Sequence, residues 1–134
     1  MQDNKWFMPV KVSKKARNQL FAFHHAAASA STFYGWSQYL NEYTTLYAIE
    51  LPGRASRLGE KPTNDINSIA KNIVEEIKHY LGTIPTFFFG HSMGGILAYE
   101  IAALLSPNNL INHFIASAVN PPGYSQITTP IHHL

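Results

Sequence analysis

Four short apolar runs, QLFAFH (19–24), LYAIEL (46–51), TFFF (86–89) and HFIASAV (113–119), alternate with stretches of helical or polar pattern. Each run is apolar at successive positions rather than every second one, as a strand buried on both faces requires. The clearest helix falls at 65–81, where Ile66, Ile69, Ala70, Ile73, Val74, Ile77, Tyr80 and Leu81 recur at spacings of three and four. Asn64 or Asp65 suits its N-cap, and Gly82 its C′ position. Within STFYGWSQYL (31–40), Phe33, Trp36 and Leu40 define a helical face opened by Ser31 or Thr32. A further helix is expected from Met93 to Leu105, ended by Ser106-Pro107. Strands joined through helices pair in parallel, so the expected class is α/β with a doubly wound, mostly parallel sheet. Residues 5–12 are expected to add an antiparallel edge strand, and NPPGYSQITTP (120–130) an irregular connection.

With 134 residues, no repeat and no linker, the chain reads as a single domain over 1–134. Its 46% apolar and 13% charged content fits a packed core, and its formal charge of +2 gives no reason to expect a nucleic-acid partner. Lys11, Lys14, Lys15 and Arg17 form the densest basic stretch, but without interleaved aromatics they read as a solvated connector. The absence of cysteine excludes disulfides and thiolate metal sites and fits a reducing compartment. The segment MQDNKWFMPVKV lacks the apolar core of a signal peptide, and no apolar run reaches the roughly 20 residues of a membrane span. A soluble, cytoplasmic protein with no membrane partner is therefore expected.

The third run ends in FFFGHSMGG (87–95), and Gly90-His91-Ser92-Met93-Gly94 matches G-x-S-x-G. Chance alone supplies this pattern roughly once in twenty chains of this length. Its place between a buried strand and a helix start is more telling, because a nucleophile elbow requires that setting. A tight strand-to-helix turn strains the serine backbone and lifts its Oγ above the sheet. Side chains two positions to either side would meet the neighbouring strand and helix, so glycine fits both places. The helix start aims free N–H groups at a developing oxyanion, with Met93 N–H as the natural first donor. The alternative is a glycine-rich phosphate loop, but the chain has neither G-x-x-x-x-G-K-[ST] nor G-x-G-x-x-G, and no cofactor is called for. Side chains adjacent at a turn diverge, which gives His91 a structural role rather than that of a base.

Three motifs together resemble the type II thioesterases of the α/β-hydrolase superfamily, which act beside nonribosomal peptide and polyketide synthetases. LFAFHHAAASAS (20–31) is similar to that family's first strand and loop, LPGRASRLGE (51–60) to the end of its second strand, and FGHSMG (89–94) to its elbow. The terminal IHHL (131–134) resembles the start of its helical lid. The resemblance implies catalysis by Ser92, an oxyanion hole made of Met93 and Ala26 backbone N–H groups, and His25 and Arg54 on the substrate side. Arg57, on the same loop as Arg54, reads either as a substrate contact or as a surface cation. The implied partner is an acyl or peptidyl carrier protein bearing its substrate on phosphopantetheine. The chain departs from the family at His24, and at Ala27 and Ala28, where glycines stand; positive φ there would strain each alanine by roughly 1–2 kcal/mol.

The family takes its triad in the order Ser, acid, His. After Ser92 the only acidic residue is Glu100, inside the following helix, and the histidines are His113, His132 and His133. None is placed as the family's acid or base, so the chain is expected to form an incomplete α/β-hydrolase fold lacking the last strands and lid. An edge left at 113–119 would favour self-association. Besides an acyl-carrier thioesterase, a general carboxylesterase and a non-catalytic interaction module remain open readings.

Overall fold

The computed structural model describes residues 5–25, 28–53, 57, 59–61, 65–108 and 110–117. Five strands, β1 (Phe7–Lys11), β2 (Asn18–Phe23), β3 (Thr44–Ile49), β4 (Thr86–His91) and β5 (His113–Ser117), form one sheet in the order β1-β3-β2-β4-β5. Pairing is parallel from β3 through β2 and β4 to β5. β1 runs antiparallel along β3, with Phe7 opposite Ile49 and a register shift between Pro9 and Lys11. An edge is where a residue lacking an N–H is tolerated.

Burial explains the unbroken apolar runs of β2, β3 and β4, whereas β5, against expectation, is mostly exposed, with Ile115 50% exposed. Phe21, Phe23, Tyr47, Ile49 and Phe88 point to one face, where α1 (Ile66–Ile77) and α2 (Met93–Leu105) bury Ile69, Ile73, Ile77, Leu97 and Ile101. Ala22, Leu46 and Ala48 point to the other, under Ala30 and Phe33. α1 begins as its cap residue predicts: Asp65 accepts from Ser68 N–H at 3.2 Å and from Ser68 Oγ at 2.9 Å. Those bonds, the side-chain one foremost, hold the Asp65 carboxyl below its usual range. The helix is shorter than 65–81, because Lys78–Tyr80 tightens to a 3-10 turn before Gly82, which takes φ 99°.

The segment over the second face also differs from expectation. It is a 3-10 helix, Ala30–Tyr39, and its N-cap is Ser29, whose side chain accepts from Ser31 N–H. Three residues per turn put Ala30, Phe33, Trp36 and Tyr39 in one row, of which Ala30 and Phe33 are buried. Lys11 is likewise part of β1 rather than of a connector, with its Nζ donating to the Leu40 carbonyl. Among the described residues no helix is long and apolar enough to cross a membrane. The stretches 120–130 and 131–134 lie outside the described residues.

Candidate active site

β4 ends at His91 and α2 starts at Met93, leaving Ser92 alone to turn the chain. Its φ of 56° and ψ of −121° lie in a sparsely populated region, and it is the one non-glycine residue with positive φ among those described. Such a conformation costs of order 1–3 kcal/mol and persists only where its surroundings enforce it. Here Ser92 N–H donates to Ser117 O at 2.8 Å, and Ser92 O accepts from Gly95 N–H at 2.9 Å and Ile96 N–H at 3.3 Å. Both flanking glycines are sterically required. A Cβ on Gly90 would lie 2.4 Å from Gly94 O, and one on Gly94 would lie 2.2 Å from Phe23 O. The start of α2 thus rests directly on the end of β2. Met93 N–H opens the helix, where amides have no carbonyl one turn back and the helix dipole favours negative charge.

Around the elbow, His91 Nδ1 and Ser117 Oγ share a hydrogen bond of 3.1 Å. The His91 ring meets that of half-buried His25 edge-on, 5.6 Å between centroids. His91 is therefore a strut between the elbow, β5 and the segment after β2. His24 is buried, and its Nδ1–H donates to the His25 carbonyl at 2.8 Å. Ala28 N–H donates to His25 O at 3.1 Å. Ala26, Ala27 and Arg54 lie outside the described residues.

The remaining motif residue is placed against expectation. Arg57 is 4% exposed, a buried residue and not a surface cation. Its guanidinium lies over the Trp6 ring at 4.0 Å and grips Glu60 through Nε and Nη2 at 2.9 and 2.8 Å. Nη1 donates to the Glu50 carbonyl at 3.0 Å. The R-x-x-E spacing was a legible sign of this pairing. Hydrogen bonds from Arg57, aided by the charges of Arg57 and Lys5, hold the Glu60 carboxyl below its ordinary 4.5. A depressed folded pKa contributes stability above the unfolded value and loses it as pH falls through the folded one. The gap in urea midpoint between the native chain and Glu60→Gln should be full well above the ordinary 4.5 and close as pH falls below it through the folded value. A gap widening on acidification would contradict the pairing.

Neither Glu100 nor His113 reaches the elbow. Glu100 stands eight residues along α2, about 12 Å down the axis. His113 is stacked on Phe87 at the amino end of β5, about 13 Å from Ser117. An open cleft of about 250 Å³ lined by Leu110, Ile111, His113 and Phe114 lies at that same far end.

A Thioesterase domain family model matches residues 18–130. The chain belongs to that family. It is 34% identical over 123 residues to the gramicidin S biosynthesis protein GrsT of Aneurinibacillus migulanus, covering 90% of this chain and 48% of that one. The medium-chain S-acyl fatty acid synthase thioesterase of Homo sapiens is 30% identical over 121 residues, with 88% and 42% covered. Among solved structures, the type II thioesterase BorB from the borrelidin biosynthetic cluster superposes with a TM-score of 0.79 at 27% identity, covering 88% of this chain and 48% of BorB. The resemblance to type II thioesterases and the α/β-hydrolase-like sheet are thereby borne out. The chain spans about half the length of the relatives it matches.

Proposed function

We propose that this chain is the nucleophile-bearing part of a serine thioesterase that frees acyl groups from the phosphopantetheine thiol of a carrier protein. The observation that carries the reading is Ser92, held at φ 56° where β4 meets α2 in a chain of the thioesterase family. Ser92 Oγ attacks the thioester carbonyl, and the oxyanion accepts hydrogen bonds from the backbone N–H groups of Met93 and Ala26. The carbon–sulfur bond breaks, the thiol leaves with a proton, and water then releases the acid from the acyl-enzyme. His25 and Arg54 stand on the substrate side. Kinship with proteins named for gramicidin S and borrelidin biosynthesis supports a carrier-bound substrate.

Residues 1–134 form one partial α/β-hydrolase domain in this reading. Among the described residues after Ser92, Glu100 and His113 are too distant to serve as acid and base. Residues 1–134 by themselves therefore turn over negligibly, acting at most as an interaction module that self-associates through the β5 edge. The setting is cytoplasmic.

Two measurements test this. The full-length protein should hydrolyse acyl-carrier thioesters faster than simple oxygen esters of the same acid; the reverse preference would mark a general carboxylesterase. Purified residues 1–134 should show no steady-state thioester hydrolysis above background. A rate that Ser92→Ala abolishes would refute the second statement.

A further inference from the structure

Within the run LYAIEL stands one charged residue, Glu50, and the fold leaves it 0% exposed. A carboxyl is costly to bury unless its hydrogen bonds are supplied, so those bonds indicate its task. Its three polar groups reach three separate segments. The Glu50 N–H donates to Trp6 O at 2.9 Å, and its carbonyl accepts from Arg57 Nη1 at 3.0 Å. Its side-chain Oε1 accepts from Ala30 N–H at 2.8 Å, 20 residues earlier in the chain.

Ala30 opens the 3-10 helix and closes the segment that leaves β2. The beginning of that segment is fixed from the other side, where Gly94 lies against the carbonyls of Phe23 and His24. The segment is thus anchored twice, by α2 at its start and by Glu50 at its end. In chain order, the oxyanion donor assigned to Ala26 falls between these anchors, so the inference rests on the thioesterase reading above. We propose that Glu50 is the positioning residue of the oxyanion loop, setting its place relative to Ser92 by accepting the Ala30 N–H. The reach of the acceptor, not its charge, does the positioning.

Two variants of the full-length protein separate reach from charge. Glu50→Gln keeps an acceptor oxygen at the same reach. Glu50→Asp keeps the charge but withdraws it by about 1.5 Å, one carbon–carbon bond. Both are compared with the native protein for kcat and KM on an acyl-carrier thioester, and by hydrogen exchange of peptides covering 28–40 and 66–77. Complete loss of an oxyanion donor costs about 100- to 1,000-fold, so a displaced one should cost about tenfold. The expected result is kcat about tenfold lower in Glu50→Asp at unchanged KM, with faster exchange confined to 28–40, and near-native values in Glu50→Gln. Native kcat in Glu50→Asp overturns the proposal, as does an equal loss in Glu50→Gln. Global unfolding of Glu50→Asp, with 66–77 exchanging as fast as 28–40, also overturns it by assigning Glu50 to general stability. A native protein without thioester turnover, whose Glu50→Asp variant still loosens 28–40 alone, sinks the functional reading and leaves the anchor standing. Native exchange in Glu50→Asp sinks the anchor alone.

Discussion

Ser92→Ala in the full-length protein is expected to lower kcat for thioester hydrolysis about a millionfold, the scale seen when a triad serine is removed. Labelling of the protein by a fluorophosphonate should vanish with it. The loss should come without unfolding, because the Ser92 side chain makes no capping bond to α2 and the bonds by which Ser92 holds the turn come from its backbone N–H and carbonyl. Ser92→Gly sharpens the test. Glycine adopts positive φ without the penalty that serine bears at 56°, so this variant should be more stable by about 1 kcal/mol and equally inactive. A protein that gains stability while losing its activity stores strain at the site for function rather than for folding. Labelling that persists in Ser92→Ala, or a kcat within tenfold of native, would remove Ser92 from the chemistry.

The parts of this molecule legible in its sequence are those decided by neighbours in the chain. Unbroken apolar runs marked β2, β3 and β4 as buried strands, and α2 runs over Met93–Leu105 as its pattern suggested. Asp65 could be read as a cap because capping is a contact across three residues. Contacts across longer separations were not legible. The elbow pattern foretold that Gly94 excludes a Cβ, but not that the strand it meets is β2, which depends on β4 lying beside β2 in the sheet. Arg57 looked like a surface cation because Trp6 and Glu50, which bury it, are distant in sequence. Glu50 itself left a signal, a single charge in an apolar strand run, since a buried polar group is more telling than an exposed apolar one. Its partner at Ala30 did not. Ser117 left no signal except its place at the carboxyl end of a strand, level with His91 and so one residue short of the serine whose N–H it receives.

Gly94→Ala is expected to be the most disruptive single-methyl change in the elbow. The added Cβ would lie 2.2 Å from Phe23 O and 2.5 Å from His24 O, and both are backbone atoms that cannot swing aside as a side chain would. Relief requires α2 to withdraw from β2 by about 1 Å, opening the packing of Leu97 and Ala98 beneath it. Overpacking against backbone at this depth costs about 3 kcal/mol, a fall in Tm of about 10 °C for a chain of this size. Two other glycines calibrate the measurement. At Gly59 a Cβ meets nothing within 4 Å, so Gly59→Ala should leave Tm unchanged. At Gly82 space is equally open but φ is 99°, so Gly82→Ala should cost about 1 kcal/mol through conformation alone. Equal Tm values for Gly94→Ala and Gly59→Ala would show that α2 and β2 are not in contact. The same withdrawal carries Met93 N–H away from the segment after β2. If the proposed oxyanion hole holds, Gly94→Ala in the full-length protein, assayed well below its melting point, should therefore still lose kcat, because its two donors could not both follow one oxygen when their elements part.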